Sequence, residues 1–164
     1  VDFGIQRVQT SSRRSVKVQL WDIAGQERFA CLTRAYYRDA AGCVLMFDLG
    51  RPHSLDSARR WKTDLDSKAR TQTGALLPCI LVANKCDRSP VSVSDSDIQS
   101  LCQEMLFLGW TKTLAKDGTM VPQAVGYLLD KIVGVQPRSP SILSNSISLS
   151  TEGAGGGKKQ SCPC

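Results

Sequence analysis

The chain has 164 residues, 41% hydrophobic and 22% charged, with a formal net charge of +6, proportions that fit one soluble globular domain with a tail. No stretch approaches the roughly 18 consecutive apolar residues of a membrane span, and none reads as a basic, then apolar, leader. The basic residues are scattered, from Arg13 and Arg14 through Arg59 and Arg60 to Lys158 and Lys159, without the interleaved aromatics of a nucleic-acid surface, so no nucleic-acid partner is expected.

Val1, rather than Met, opens directly into an alternating pattern, which predicts that the sequence begins inside a longer polypeptide. Val1, Phe3 and Ile5 alternate with polar residues. After the turn-like run from Ser11 to Ser15 the alternation resumes at Val16, Val18 and Leu20, the pattern of two antiparallel strands. Two short runs, Cys43–Phe47 and Cys79–Ala83, are continuously apolar, as strands buried on both faces of a parallel sheet must be. Helical spacing places Leu55, Ala58, Trp61 and Leu65 on one face. It does the same for Ile98, Leu101, Cys102, Met105 and Leu106 behind the cap Ser94, and for Ala124, Val125, Leu128, Leu129 and Ile132. A strand is expected over Phe107–Thr111. Strands alternating with helices imply parallel crossovers, hence an α/β fold with a mostly parallel sheet and helices on both faces.

From residue 135 the pattern gives way to Pro137, Pro140, repeated serines and Gly153-Ala-Gly-Gly-Gly157, a composition that cannot bury enough apolar surface to offset the entropy of ordering. Residues 1–134 are therefore read as the domain and 135–164 as a flexible tail. Five of the seven cysteines, Cys31, Cys43, Cys79, Cys86 and Cys102, show no metal-ligand spacing and read as reduced thiols. His53, the single histidine, stands beside Pro52 and is expected to be a solvated loop residue.

Two segments carry chemistry. Asn84-Lys85-Cys86-Asp87 follows a buried strand directly, where open α/β sheets place their ligands. An ionised Asp accepts two hydrogen bonds side by side, matching the ring N–H and exocyclic amine of guanine and repelling an adenine edge. Asp87 would choose the base, Asn84 would brace the loop, and the Lys85 stem would lie along the base's flat face. The plainer reading is a strand ending in a polar turn. Asp22-Ile23-Ala24-Gly25-Gln26 follows the second strand. Here Asp22 suits hydrated Mg2+, the Gly25 N–H suits a terminal phosphate, and Gln26 suits an attacking water. Its plainer reading is a tight turn, with Asp22 a helix cap and Gln26 solvated. Each pattern recurs by accident in about 2% of chains this long; both together, each just past a strand, fall below about one in a thousand.

Trp21-Asp-Ile-Ala-Gly-Gln-Glu-Arg-Phe29, Tyr36-Tyr-Arg38 and Asn84-Lys-Cys-Asp87 resemble the Rab small GTPases of the Ras superfamily over residues 1 to about 134. The Val1-Asp2-Phe3 opening, Ile23 in place of the commoner Thr, and Trp61-Lys-Thr-Asp-Leu-Asp66 are similar to the Rab branch serving the trans-Golgi and lysosome-related organelles. The resemblance implies a Ras-like P-loop NTPase fold that binds GTP or GDP with Mg2+. Gly25 and Gln26 would open its second switch. Phe3, Trp21 and Tyr36 match the aromatic triad read by effectors, although Phe3 and Trp21 read equally well as half-buried strand residues and Tyr36 as core filler. Leu114-Ala115-Lys116 corresponds to the Ser-Ala-Lys segment whose backbone N–H groups meet the base carbonyl, with Leu114 departing from the pattern. Lys112 stands where relatives often carry an acid. Cys162-Pro163-Cys164 resembles the Cys-x-Cys ending that receives two geranylgeranyl groups, and two lipid chains are what stable anchoring requires. Lys158 and Lys159 would add attraction to anionic lipid.

The 164 residues contain no Gly-x-x-x-x-Gly-Lys-Ser/Thr segment, so the chain as given is expected to lack the first strand, phosphate loop and first helix of that fold, and to be inactive in hydrolysis. In the family the missing strand lies between those ending at Asp22 and Asp48, and its loss would leave two backbone edges unpaired. The resemblance implies a GTP-hydrolysing switch in vesicle traffic. Its partners would be effectors, exchange factors, GTPase-activating proteins, escort protein and dissociation inhibitor, on the cytoplasmic face of trans-Golgi, endosomal or lysosome-related membranes and cycling with cytosol. The alternative is a short product that binds partners without catalysis.

Overall fold

The computed structural model describes residues 2–23 and 36–134. The polar turn after Gln9 folds the first two runs into a hairpin, β1 (Asp2–Gln9) against β2 (Ser15–Asp22), antiparallel with Phe3 opposite Trp21 and Val8 opposite Val16. Thr10 closes it: the Thr10 N–H donates to the Arg14 carbonyl at 2.9 Å and the Arg14 N–H to Thr10 Oγ1 at 3.1 Å.

The other strands, β3 (Cys43–Asp48), β4 (Cys79–Asn84) and β5 (Trp110–Thr113), form a separate parallel sheet in that order. Because side chains alternate along a strand, β4 presents Cys79, Leu81 and Ala83 to one face and Ile80 and Val82 to the other. The first face carries the main core. There α1 (Pro52–Lys68) contributes Ala58 and Leu65, and α2 (Asp95–Glu104) contributes Ile98, Leu101 and Cys102. On the second face, α3 (Val121–Ile132) packs Ala124 and Leu128 onto Ile80 and Val82. Helices on both faces of a parallel sheet are what the alternation of patterns predicted. Ser94 caps α2 as expected, its hydroxyl accepting from the Asp97 N–H at 3.2 Å while the Ser94 N–H donates to Asp97 Oδ2 at 3.2 Å, a capping box.

Four expectations change. Among the described residues β3 is not buried on both faces, for Val44 and Met46 are exposed: α3 packs over β4 rather than over that face of β3. The expected strand at Phe107–Thr111 is Trp110–Thr113 instead. Leu106, in the left-handed region at φ 56°, ends the turn after α2 with its side chain 70% exposed, not on the buried helix face. Phe107 then drops into the core, and pairing with β4 begins only where the Leu108 N–H reaches the Cys79 carbonyl at 2.8 Å. Finally, His53 lies within the first turn of α1, started by Pro52, rather than in a loop, as proline's fixed φ allows.

Two contacts fix where these parts meet. The Ser11 N–H donates to buried Asp130 of α3 at 3.0 Å, tying the hairpin turn to the second face. At Gly42 an added Cβ would stand 2.7 Å from Ile132 Cδ1 and 3.1 Å from the Pro78 carbonyl oxygen, so glycine lets the end of α3 close onto the start of β3.

Candidate functional site

The parallel strands end together at Asp48, Asn84 and Thr113, the edge where such sheets bind ligands. The loop after β4 is pinned from both sides. The Leu49 N–H donates to the Asn84 carbonyl at 3.0 Å, and the Cys86 N–H to the Thr113 carbonyl at 3.2 Å. Asn84 Oδ1 accepts from the Ala115 N–H at 3.0 Å and the Thr113 hydroxyl at 3.4 Å. One side chain on β4 thereby holds the loop after β5, bringing Asn84-Lys85-Cys86-Asp87 and Leu114-Ala115-Lys116 together from a separation of about 30 residues. Asp87, Ala115 and Lys116 are exposed there. Leu114 packs against the main core. Its bulk is thus accommodated beneath the loop, which closes through an Asp117–Thr119 turn: the Thr119 N–H donates to Asp117 Oδ1 at 2.9 Å and the Thr119 hydroxyl at 2.6 Å. Those two bonds hold the Asp117 carboxyl below its usual range, the hydroxyl contributing most.

Lys85 adopts the left-handed conformation, φ 63°, which costs a residue with a Cβ roughly 1 kcal/mol or more and persists only where neighbours hold it. Asp48 is the chief of these. Its Oδ2 receives Lys85 Nζ at 2.7 Å and lies 3.6 Å from Arg88 and 3.9 Å from Arg51, while Oδ1 accepts from the Gly50 N–H at 2.9 Å. Its side chain is 12% exposed. Burial alone would push the carboxyl upward, but the Lys85 and Gly50 hydrogen bonds and the charges of Lys85 and Arg88 together hold it below the usual carboxylate range. Sequence reasoning missed Asp48, although the signal was present: an acid closing an apolar strand run, as Asp22 does after β2. Ser54 of α1 adds to the same corner, accepting from the Asp48 N–H and donating to its carbonyl, both at 3.0 Å.

On the hairpin, Phe3 and Trp21 stack as a register pair with ring centroids 4.6 Å apart, and Tyr36 stands 6.2 Å from Trp21. The rings of the expected triad therefore meet, with Phe3 50% and Trp21 53% exposed. Asp22 ends β2 in the open. Among the described residues no three acidic, histidine or cysteine groups gather as a metal cage. A lone carboxylate fits Mg2+, which keeps several waters and takes phosphate oxygens as ligands. Gly25, Gln26, Cys162 and Cys164 lie outside the described residues. Lys112, at the position where an acid was expected, pairs with Asp95 at 2.9 Å. Among the described residues no helix is long and apolar enough to cross a membrane.

Comparison with known proteins gives the family. The Ras family profile matches residues 1–134. The human Ras-related protein Rab-7L1 is 43% identical over 153 residues, covering 93% of this chain and 72% of the relative. Human Ras-related protein Rab-32 is 42% identical over 134 residues, 81% of this chain and 60% of the relative. Rab-32B of Dictyostelium discoideum is 37% identical over 135 residues, 82% of this chain and 52% of the relative. With the loops after β4 and β5 brought together at the strand ends and the family profile spanning the whole described domain, the chain belongs to the Ras family, as a small GTPase of the Rab type.

Proposed function

We propose that the protein is a GTP-binding and GTP-hydrolysing switch of intracellular membrane traffic, and that residues 1–134 supply its base-reading and effector-facing parts. The observation that carries this is the Asn84 side chain, which couples the loop bearing Asp87 to the loop bearing Ala115 and Lys116. Asp87 accepts the ring N–H and amine of guanine. Lys85, anchored on Asp48, lays its stem against the base. Because the Ala115 N–H already serves Asn84, the Lys116 N–H is the nearer free choice for the base carbonyl.

When bound, Mg2+ supplies neutralising charge to phosphate oxygens, and Asp22 would hold it through water. Gln26 orients the hydrolytic water, beside the Gly25 N–H. Phe3, Trp21 and Tyr36 form an apolar face for effectors. Cys162 and Cys164 carry the geranylgeranyl groups that bring the protein to trans-Golgi, endosomal or lysosome-related membranes, with escort protein and dissociation inhibitor handling the lipidated form and exchange factors and GTPase-activating proteins setting the nucleotide state.

A second reading, a partner-binding product without catalysis, is favoured by the aromatic cluster, with Phe3 and Trp21 exposed. A thermal melt of the 164-residue chain with GDP and Mg2+ against ADP and Mg2+ separates the two. A midpoint raised by GDP alone supports base reading. No response to GDP at millimolar concentration leaves partner binding as the function of these residues.

A further inference from the structure

Cys43 and Cys79 open β3 and β4 and are partners in the parallel ladder, so both side chains stand on the face beneath α1, at the end of the sheet away from Asp48 and Asn84. Cys79 is buried, Cys43 is half-buried, and both are free thiols. The Cys79 thiol donates to the Ile80 carbonyl at 3.9 Å. Lys62 of α1 is fully buried, 1% exposed at its side chain, ion-paired with Asp66 and 5.5 Å from the centre of the Phe107 ring. Its charge reaches both sulfurs.

Neighbouring strands run about 4.8 Å apart, inside the Cα separation of about 4.4–6.8 Å that a disulfide tolerates. Register partners at this spacing are therefore within reach of a bridge, which thiol exchange can reduce again.

We propose that Cys43 and Cys79 form a reversible hydroperoxide-sensitive thiol pair, with half-buried Cys43 as the attacking sulfur and buried Cys79 as the resolving one. Cys43 thiolate attacks the terminal oxygen of a hydroperoxide. The S–O bond forms as the O–O bond breaks, the sulfur loses two electrons, and the leaving alkoxide or hydroxide takes a proton to give alcohol or water. Cys79 sulfur then attacks the sulfenic sulfur of Cys43, and the S–S bond forms as the S–O bond breaks, with the Cys79 proton leaving in water. Two equivalents of a small thiol reverse the reaction. The electrostatics agree with this division of roles. The neighbouring Cys79 thiol, assisted by the Lys62 charge, holds the Cys43 thiol below its ordinary range against the effect of burial. The neighbouring Cys43 and burial push Cys79 upward. By contrast, burial alone pushes the Cys102 thiol up to about 11, so that residue serves as an internal unreactive control.

The test is peroxide treatment of the reduced, native 164-residue chain, followed by alkylation and peptide mass spectrometry. The expected result is a linked pair of Cys43 and Cys79 peptides, lost on treatment with glutathione, with Cys43 alkylated on the order of tenfold faster than Cys102 before oxidation. In Cys79→Ala the reaction stops at a Cys43 sulfenic acid that dimedone traps. If that variant fails to fold, the alkylation rates and linked peptides of the unaltered chain decide. Peroxide-treated chain in which Cys43 and Cys79 both remain alkylatable, or which forms only other cysteine pairs, overturns the proposal.

Discussion

Replacing Asp48 with Ala removes the acceptor at the corner where β3, α1 and the base-reading loop meet. The charge-assisted bond from Lys85 Nζ, at 2.7 Å, belongs to a class worth about 1.5–3 kcal/mol. Lys85 is 41% exposed at its side chain, so solvent screening brings its share to about 1 kcal/mol. The Gly50 N–H bond at 2.9 Å adds about 1 kcal/mol. Arg88 and Arg51, at 3.6 and 3.9 Å and largely solvated, add a few tenths of a kcal/mol together. The expected loss is about 2 kcal/mol, or roughly 5–10 °C in the thermal midpoint of the 164-residue chain followed by circular dichroism. Asp48→Asn keeps an acceptor for Gly50 and is expected to lose about half as much. The pH dependence carries a sign. Because the folded carboxyl sits below the usual carboxylate range, its contribution is complete above that range and disappears as pH falls through the folded pKa. The gap between Asp48→Asn and the unaltered chain should be constant from neutral pH to about pH 5 and close below about pH 4. A midpoint change under about 1 °C for Asp48→Ala, or a gap that persists unchanged at pH 3, refutes the reasoning.

Further outcomes follow from the same geometry. Asp87→Asn places an amide donor where a carboxylate stood, so in the melt the response should move from GDP to xanthosine diphosphate, whose C2 carbonyl accepts that donor; an unchanged preference for GDP would remove Asp87 from base reading. Asn84→Ala frees the Ala115 N–H, and its hydrogen exchange should speed up roughly five- to tenfold with little change at buried Leu81, as read by NMR. Leu81→Ala at the centre of the main core should cost about 2–5 kcal/mol in denaturant unfolding. Ser94→Ala should cost about 1 kcal/mol through the lost cap of α2, measured the same way.

Much of the domain was legible in the sequence because the relevant interactions are local. Alternation at Phe3 and Ile5 and a polar turn are enough to specify a hairpin. The run Cys79–Ala83 is apolar at every position because two helical layers cover β4. Ser94 followed three residues later by Asp97 writes a capping box into four positions. The placement of Asn84 and Asp87 was readable for a similar reason: a strand end fixes where those side chains stand.

The tertiary structure decided what depends on neighbours distant in the chain. That Val44 and Met46 stand in the open follows from α3 packing over β4 rather than over β3, and no period in Cys43–Phe47 encodes it. Asp48 is an ordinary acid in sequence and a junction in three dimensions, since Lys85 reaches it from 37 residues away. The fully buried Lys62 and the Cys43–Cys79 pairing arise from the packing of α1 over two strands joined in parallel register. Residue type and spacing dictate an element and its local chemistry, whereas burial, ion pairing and thiol reactivity are set by whatever the fold brings alongside.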